Sequence, residues 1–350
     1  MQQTRRTPSM SDVARAAGVA LGTVSNVLNH PDKVAPATLE RVQGAIAQLG
    51  FVRNTNAQQL AAGRSRSIGL VVIDISNSLF VDIARGAQRF ASELGMNVLM
   101  ANSDNRVDQQ RADLDFFDGA RVGGILLAPM EDAGEDVARI RTHGRPTVVL
   151  NFDTGRNDCC QVLVDNEEVG YLAARHLIDS GRTRLAFVGG RDYLQPVALR
   201  RRGVRRAVAE EGGRVSLQEV PTENLDPPGG LRAAEGLVKD VRRGSLDGVI
   251  AVTDLLAMAI IQVFGAEGVE VPGDVAVMGC DHNSAAWGGM IPLTSVQMQG
   301  LDMGREGLRL LLAEIDEDPA EHRHVTTMLR PELVVRESTV GRERPMPPRD

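Results

Sequence analysis

Two hydrophobic rhythms divide the chain. Up to about residue 50, apolar positions recur at three- and four-residue spacing, which predicts short amphipathic helices. Ser9-Met10-Ser11-Asp12 fits a capping box opening the first helix, Val13, Ala16 and Ala17 line one face, and Gly18 stops it. A second helix is predicted over 21–29, with Val24, Val27 and Leu28 inward. A third follows Pro36, turns Leu39, Val42, Ile46 and Leu49 to one side, and ends at Gly50. A helix, a glycine turn and a second short helix make a helix-turn-helix pattern. From Ile68 onward the rhythm changes. Short apolar runs at 68–73, 98–101, 125–128, 148–150, 185–188, 249–252 and 275–278 alternate with amphipathic stretches such as Ile83, Ala87, Phe90 and Leu94. Repeated strand–helix units predict parallel sheets with helices on both faces. This part is too long for one such sheet, so two lobes are expected.

Between the rhythms, 53–67 is polar and reads as a linker. Within it, Asn54 through Ala62 fits two helical turns capped by Asn54 and stopped by Gly63. A helix that short is marginal in water unless something packs on it, so it is expected to order only when bound. The Arg- and Pro-rich end, 337–350, is expected to be disordered, with the body closing at 338 and a tail over 339–350. It carries no heptad pattern.

The 350 residues are 43% hydrophobic and 24% charged, enough to bury a sizeable core. A net charge of −7 hides an asymmetry. Residues 1–66 hold eight Arg and Lys against three acids, or +5, leaving −12 on the rest. A basic head on an acidic body is the imbalance expected of a nucleic-acid reader attached to a soluble module. No apolar run is long enough to span a membrane, and residues 1–8 are polar without an apolar stretch behind them, so no signal peptide is expected. Cys159, Cys160 and Cys280 are odd in number and show no C-x-x-C spacing, which indicates neither a disulfide framework nor a zinc site. The cytoplasm is the expected compartment.

In open parallel sheets, ligands bind beyond the carboxyl ends of the strands. The residues that follow the apolar runs are Asp74 and Asn77, Asn102 and Asp104, Asn151, Thr253 and Asp254, then Gly279, Cys280 and Asp281. They are suited either to capping the next helix or to binding hydroxyl groups, and spacing alone leaves both open. Enzyme chemistry finds little support. There is no G-x-S-x-G, no H-E-x-x-H and no Walker loop, and Gly189-Gly190 lacks the G-x-G-x-x-G of a Rossmann-type oxidoreductase. His176 reads as structural, and His322-Arg323-His324 as an exposed turn. No catalytic residue, cofactor or metal ligand is expected. A sugar- or nucleoside-binding module without DNA function stands as the alternative, disfavoured by the basic head.

Asp12-Val13-Ala14, Ala17-Gly18-Val19, Thr23-Val24-Ser25, Val27-Leu28-Asn29 and the stretch from Asn54 through Ala57-Gln58-Gln59-Leu60-Ala61 resemble the lactose-repressor (LacI/GalR) family of bacterial transcription regulators. The resemblance continues through Asp74, Asn77 and Phe80, then Asp165, Arg200-x-x-Gly203, Asp254, Gly279-x-Asp281 and Pro292-Leu293-Thr294-Ser295-Val296, in the family's order over about 9–338. It implies a helix-turn-helix headpiece over 1–52, a hinge helix over 53–67, and a two-lobed periplasmic-binding-protein-like body over 68–338. The lobes would be 68–163 with 293–320 and 164–292 with 321–338. The implied function is a homodimeric repressor on a pseudo-palindromic double-stranded operator, controlled by a small molecule, most simply a sugar, held between the lobes. The second helix would read the major groove with Leu21, Gly22 and Asn26. Thr23, Ser25, Asn29 and Thr38 would hold phosphates. Asn54, Ala57 and Leu60 would enter the minor groove, with Leu60 wedged between base pairs. The effector would meet Ile73, Asn77, Phe80, Asn151, Asp165, Arg200, Thr253 and Asp281, with Phe152, Tyr193 and Trp287 as further aromatics and Met298 in place of a polar contact.

Three departures matter. Ala20 stands where the family usually has a serine cap, Gly22 has no side chain to read a base, and Asn26 replaces a common arginine. Arg200 also sits in an arginine run, most of which should be a solvated helix face.

Overall fold

The computed structural model describes residues 8–52, 65–190, 194–282, 291–318 and 321–341. The chain divides into two compact units at residues 64/65.

The first unit is a small helical bundle. Ser9 Oγ accepts from the Asp12 amide at 3.3 Å while Asp12 Oδ2 accepts from the Ser9 amide at 2.9 Å, so both halves of the capping box are made. Helix α1 (Met10–Ala17) ends at Gly18, whose φ of 63° is the left-handed conformation that favours glycine. Helices α2 (Leu21–Asn29) and α3 (Pro36–Leu49) follow as the pattern predicts. Val13, Ala14, Ala17, Val24, Val27, Val42 and Ala45 form the core. Ala14 is buried where Ala16 was expected, because α1 packs against both later helices and its apolar stripe turns toward them.

The second unit is built on two six-stranded sheets. The first contains β1 (Ser67–Val72), β2 (Asn97–Asn102), β3 (Ile125–Leu127), β4 (Thr147–Leu150), β5 (Cys160–Val164) and, much later, β11 (Thr326–Leu329). Its order is β11-β5-β4-β3-β1-β2, all parallel. The second contains β6 (Arg184–Gly189), β7 (Ser216–Pro221), β8 (Gly248–Ala251), β9 (Ala276–Gly279), β10 (Thr294–Gln297) and β12 (Glu332–Val334). Its order is β12-β10-β9-β8-β6-β7, parallel except for β12 on β10. Helices α4 (Ser78–Glu93), α5 (Val107–Gly119), α6 (Gly134–Thr142), α7 (Asn166–Asp179), α8 (Gln195–Ala209), α9 (Pro227–Arg242), α10 (Asp254–Ala266) and α11 (Gly300–Asp316) cover the sheets, and a short α12 (Glu337–Val340) closes the described chain.

Three boundaries differ from expectation. Arg66 and Ser67 belong to the body, not the linker: Ser67 opens β1, and the Arg66 carbonyl accepts from the Asn97 amide at 2.9 Å. The chain crosses between lobes differently, since β10 lies in the second sheet and β11 returns to the first. Nor is the end free from 337. Ser338 is fully buried, its Oγ donating to the Val277 carbonyl at 2.6 Å and accepting from the Thr294 amide at 2.8 Å. Thr339 Oγ1 lies 2.8 Å from His176 Nε2, the structural role expected of that histidine.

Helices α7 and α8 approach closely. A Cβ on Gly203 would stand 1.9 Å from the Glu167 carbonyl oxygen, and one on Gly170 would stand 1.9 Å from that of Arg200. The Arg200-x-x-Gly203 spacing thus seats α8 on α7 and brings Arg200 inward.

Candidate nucleic-acid interface and ligand cleft

In the head, α2 presents its expected face. Leu21 is 51% exposed, an unusual position for a large apolar side chain on a small bundle. Gly22, Asn26 and Asn29 are exposed, while Thr23, Ser25 and Thr38 are half-buried. Asn29 Nδ2 donates to Ser25 Oγ at 3.2 Å. Ala20 occupies the N-cap position without a side-chain hydrogen bond. The hinge candidates Asn54, Ala57 and Leu60 lie outside the described residues.

In the body, the carboxyl ends of the strands supply the cleft. Asp281 follows β9 and is buried. Its Oδ1 accepts from Arg200 Nη1 at 3.2 Å, and its Oδ2 accepts from Asn77 Nδ2 at 3.1 Å, across the cleft from the N-terminus of α4. Arg200 also donates from Nε to Asn166 Oδ1 at 3.0 Å, from Nη1 to the Val252 carbonyl, and from Nη2 to Met298 Sδ at 3.1 Å. Asn166 Nδ2 continues to Asn151 Oδ1 at 3.2 Å. One hydrogen-bonded chain therefore runs from α4 in the first lobe through Asp281, Arg200 and Asn166 back to Asn151. A second bridge joins the lobes where Gln195 exchanges hydrogen bonds with the Asp153 backbone, at 2.7 and 2.8 Å.

Burial pushes the Asp281 carboxyl above the usual carboxylate range, opposed by the Arg200 guanidinium and the Asn77 amide. Asp254 and Ser295 fix the acid's backbone, both accepting from its amide at 3.2 Å. These two and Asn166 are structural partners whose roles spacing did not reveal. Asn166 is the second residue after β5, a strand the apolar runs missed, and so went unread.

The other expected contacts separate. Asp165 is an exposed helix cap accepting from the Glu168 amide at 2.9 Å, and Thr253 caps α10 at 3.3 Å from the Leu256 amide. Both perform the capping role that their positions also allowed. Asn151 holds a left-handed φ of 55°. Ile73 is half-buried and Phe80 lies in the core, as does Phe152. Tyr193 and Trp287 lie outside the described residues. Arg202, Arg205 and Arg206 form the solvated face expected for most of the arginine run, while Arg201 is buried with Arg200, donating from Nη2 to the Gly190 carbonyl at 2.6 Å and stacked over Phe187 at 5.4 Å. A cavity of about 330 Å³ opens beside Asp281, between Leu79, Asp82 and Arg85 of α4 and the segment Gln297 to Asp302.

The expected exposed turn at His322-Arg323-His324 is not one. The His322 side chain is 7% exposed, and both rings face Cys160 and Glu314 of the first lobe.

A helical DNA-reading head joined to a two-lobed α/β ligand-binding body defines a class of one-component regulators. Residues 9–54 match the model for bacterial regulatory proteins of the lacI family, and 174–339 match that for the periplasmic binding protein-like domain. The HTH-type transcriptional regulator CelR of Thermobifida fusca is 32% identical over 343 residues, covering 96% of this chain and 99% of its own. Catabolite control protein A of Priestia megaterium is 29% identical over 312 residues, covering 89% and 93%. Among solved structures, a CelR–cellobiose complex superposes with a TM-score of 0.69 at 30% identity, covering 95% of this chain and 99% of that one. A lac repressor dimer bound to operator and an anti-inducer has a TM-score of 0.78 at 22% identity over 95% and 99%, a likeness of fold. The chain belongs to the LacI family of bacterial transcription regulators. Among its described residues no helix is long and apolar enough to cross a membrane.

Proposed function

We propose that the chain is a homodimeric cytoplasmic repressor, without catalytic activity, whose grip on a pseudo-palindromic operator is set by a sugar held between the lobes. The observation that carries this is the hydrogen-bonded chain from Asn77 through Asp281 and Arg200 to Asn166 and Asn151. Carboxylate, guanidinium and amide groups at the carboxyl ends of two sheets are suited to hydroxyl groups, and they couple the lobes that a ligand would move. The similarity to a regulator solved with cellobiose favours a carbohydrate. Leu21, Gly22 and Asn26 are assigned to bases, and Thr23, Ser25, Asn29 and Thr38 to phosphates. Asn54, Ala57 and Leu60 are assigned to the minor groove by resemblance alone. A ligand shifts the two lobe arrangements only by its differential affinity for them.

The test pairs a gel shift on the DNA upstream of the chain's own coding region with thermal unfolding in a panel of mono- and oligosaccharides. Expected are a retarded complex weakened by added salt and a rise in melting temperature with one sugar that also changes the complex. No complex at low ionic strength overturns the regulator; no stabilising sugar overturns the effector class.

A further inference from the structure

Cys160 opens β5, Glu314 lies in the last turn of α11, and His322 and His324 stand just ahead of β11. Their donor atoms all lie within 4.8 Å of one another. Cys160 Sγ is 3.3 Å from His322 Nε2 and 3.8 Å from His324 Nδ1. Glu314 Oε2 is 3.7 Å from His322 Nε2 and 3.9 Å from His324 Nδ1. Edges of about 3.3–3.6 Å are what a tetrahedron with zinc–nitrogen, zinc–oxygen and zinc–sulfur bonds of ordinary length requires. The four distances above exceed such edges by at most about half an ångström, and the widest pair of donor atoms, within 4.8 Å, closes by up to about 1.5 Å when the ion is bound.

A second observation points the same way. The Glu314 side chain is 6% exposed, and its Oε2, aimed at this centre, has no hydrogen-bond partner among the described residues. A buried carboxylate oxygen left so is costly unless a cation takes it. The surroundings also suit a metal. His322 Nδ1 lies 2.7 Å from Glu317 Oε2, the carboxylate that orients a ligating imidazole, and Glu314 Oε1 lies 2.6 Å from Arg141 Nη1. Charge closes as well: a divalent ion and Arg141 are matched by a Cys160 thiolate, Glu314 and Glu317.

We propose that Cys160, Glu314, His322 and His324 form a structural site for a zinc-class divalent transition metal. One thiolate, two imidazoles and one carboxylate oxygen disfavour magnesium and calcium and leave no open position. Binding releases the Cys160 thiol proton to solvent and puts the ring proton of His324 on Nε2. The Arg141 contact to that nitrogen, 3.1 Å, is then given up while its pairing with Glu314 stays. The site ties α11 to the β5–β11 edge of the first lobe, at the amino ends of strands whose carboxyl ends form the cleft. No short motif announces it, because Cys160 is 162 residues from His322 and Glu314 stands on a different element from the two histidines.

The test is titration of the full-length, chelator-treated protein with Co²⁺ and Zn²⁺. Expected are a single equivalent of Co²⁺ with tetrahedral visible absorption and a sulfur-to-cobalt charge-transfer band, displacement by Zn²⁺, a raised melting temperature with Zn²⁺ and none with Mg²⁺. The charge-transfer band should disappear in Cys160→Ala and persist in Cys159→Ala, whose thiol belongs to the opposite face of the sheet. His322→Gln should weaken Co²⁺ binding at least tenfold, and it tests the same centre should Cys160→Ala not fold. Absence of the band in the unaltered protein, its survival in Cys160→Ala, or unchanged affinity in His322→Gln overturns the site.

Discussion

Asn77 in the first lobe and Asp281 in the second are joined directly, amide Nδ2 donating to carboxylate Oδ2 at 3.1 Å. The other oxygen of the same acid holds Arg200, itself 4% exposed. The two contacts differ in energetic weight. Removing the amide leaves Asp281 with its ion pair, whereas removing the acid leaves a buried guanidinium without its counter-charge. Asn77→Ala is expected to lower unfolding stability by about 1–3 kcal/mol, and Asp281→Ala by about 3–5 kcal/mol. Urea denaturation measures both. Equal losses would show that the acid does not serve as the main partner of Arg200.

The crossing of α7 and α8 gives a prediction with an internal sign control. Alanine at Gly203 must displace the Glu167 carbonyl, 1.9 Å from the new Cβ, and with it the helix that carries Arg200. Gly203→Ala is expected to cost about 1–3 kcal/mol and to weaken binding of the proposed effector. Gly236 lies on the exposed face of α9 with nothing near its missing Cβ, so Gly236→Ala is expected to stabilise by about 0.5–1 kcal/mol. Thermal unfolding of the two variants should move in opposite directions.

The elements that were legible in the sequence are those whose local signal agrees with their environment. All seven apolar runs lie on strands, and Ser9, Gly18 and Gly50 mark helix ends where capping chemistry puts them. The missed strands lacked that agreement. β7 and β11 are edge strands with alternating or polar faces, and β5 carries Gln161, a buried amide whose partners are the Thr154 amide and the Arg156 carbonyl. At the cleft, Asp281, Arg200 and Asp165 all match family positions, yet Asp165 caps a helix here, as does Thr253, which was placed near them. A polar residue after a strand satisfies a helix terminus or a ligand with the same atoms, and only its partners separate the two. His322 and His324 were misread for a related reason: they face Cys160, 162 and 164 residues away in sequence, and Glu314 on a different element.

The burial of His176 fixes a pH dependence. Desolvation holds its imidazole below the usual histidine range, with Asp179 opposing weakly. Unfolding returns the ring to its ordinary affinity for protons, so the unfolded chain binds more protons as the pH drops. The stability from neutral His176 is present above about pH 6.5 and is lost as the pH falls through the lower folded-state value. Unfolding free energy measured from pH 7.5 down to 5.5 should decline, and His176→Gln should flatten part of that slope. An unchanged slope in the variant would remove His176 as a cause.

Ala20 leaves α2 without a side-chain cap although its backbone, φ −70° and ψ 153°, is already in the capping conformation. Ala20→Ser is expected to stabilise the head by about 0.5–2 kcal/mol, seen as slower hydrogen exchange at the Gly22 and Thr23 amides. Exchange unchanged within error would show that these amides are not limited by opening of the first turn.

Asn26 occupies the exposed face of α2, beside Leu21 and Gly22. If that face enters the major groove, its amide is matched to adenine, which offers one acceptor and one donor, whereas an arginine fork is matched to the two acceptors of guanine. Gly22 adds no competing side chain, so the base met by residue 26 depends on this position more than on its neighbours. Asn26→Arg is expected to move the preferred base at one symmetric pair of operator positions from adenine to guanine, with discrimination of about 1–3 kcal/mol. Salt dependence should change little, because the new charge faces a base edge and not a phosphate. Selection of bound sequences from a randomised library, run in parallel on both proteins, reads the preference directly. A steeper salt dependence with the base preference intact would place residue 26 against the backbone and reassign base reading to Leu21 and the helix amides.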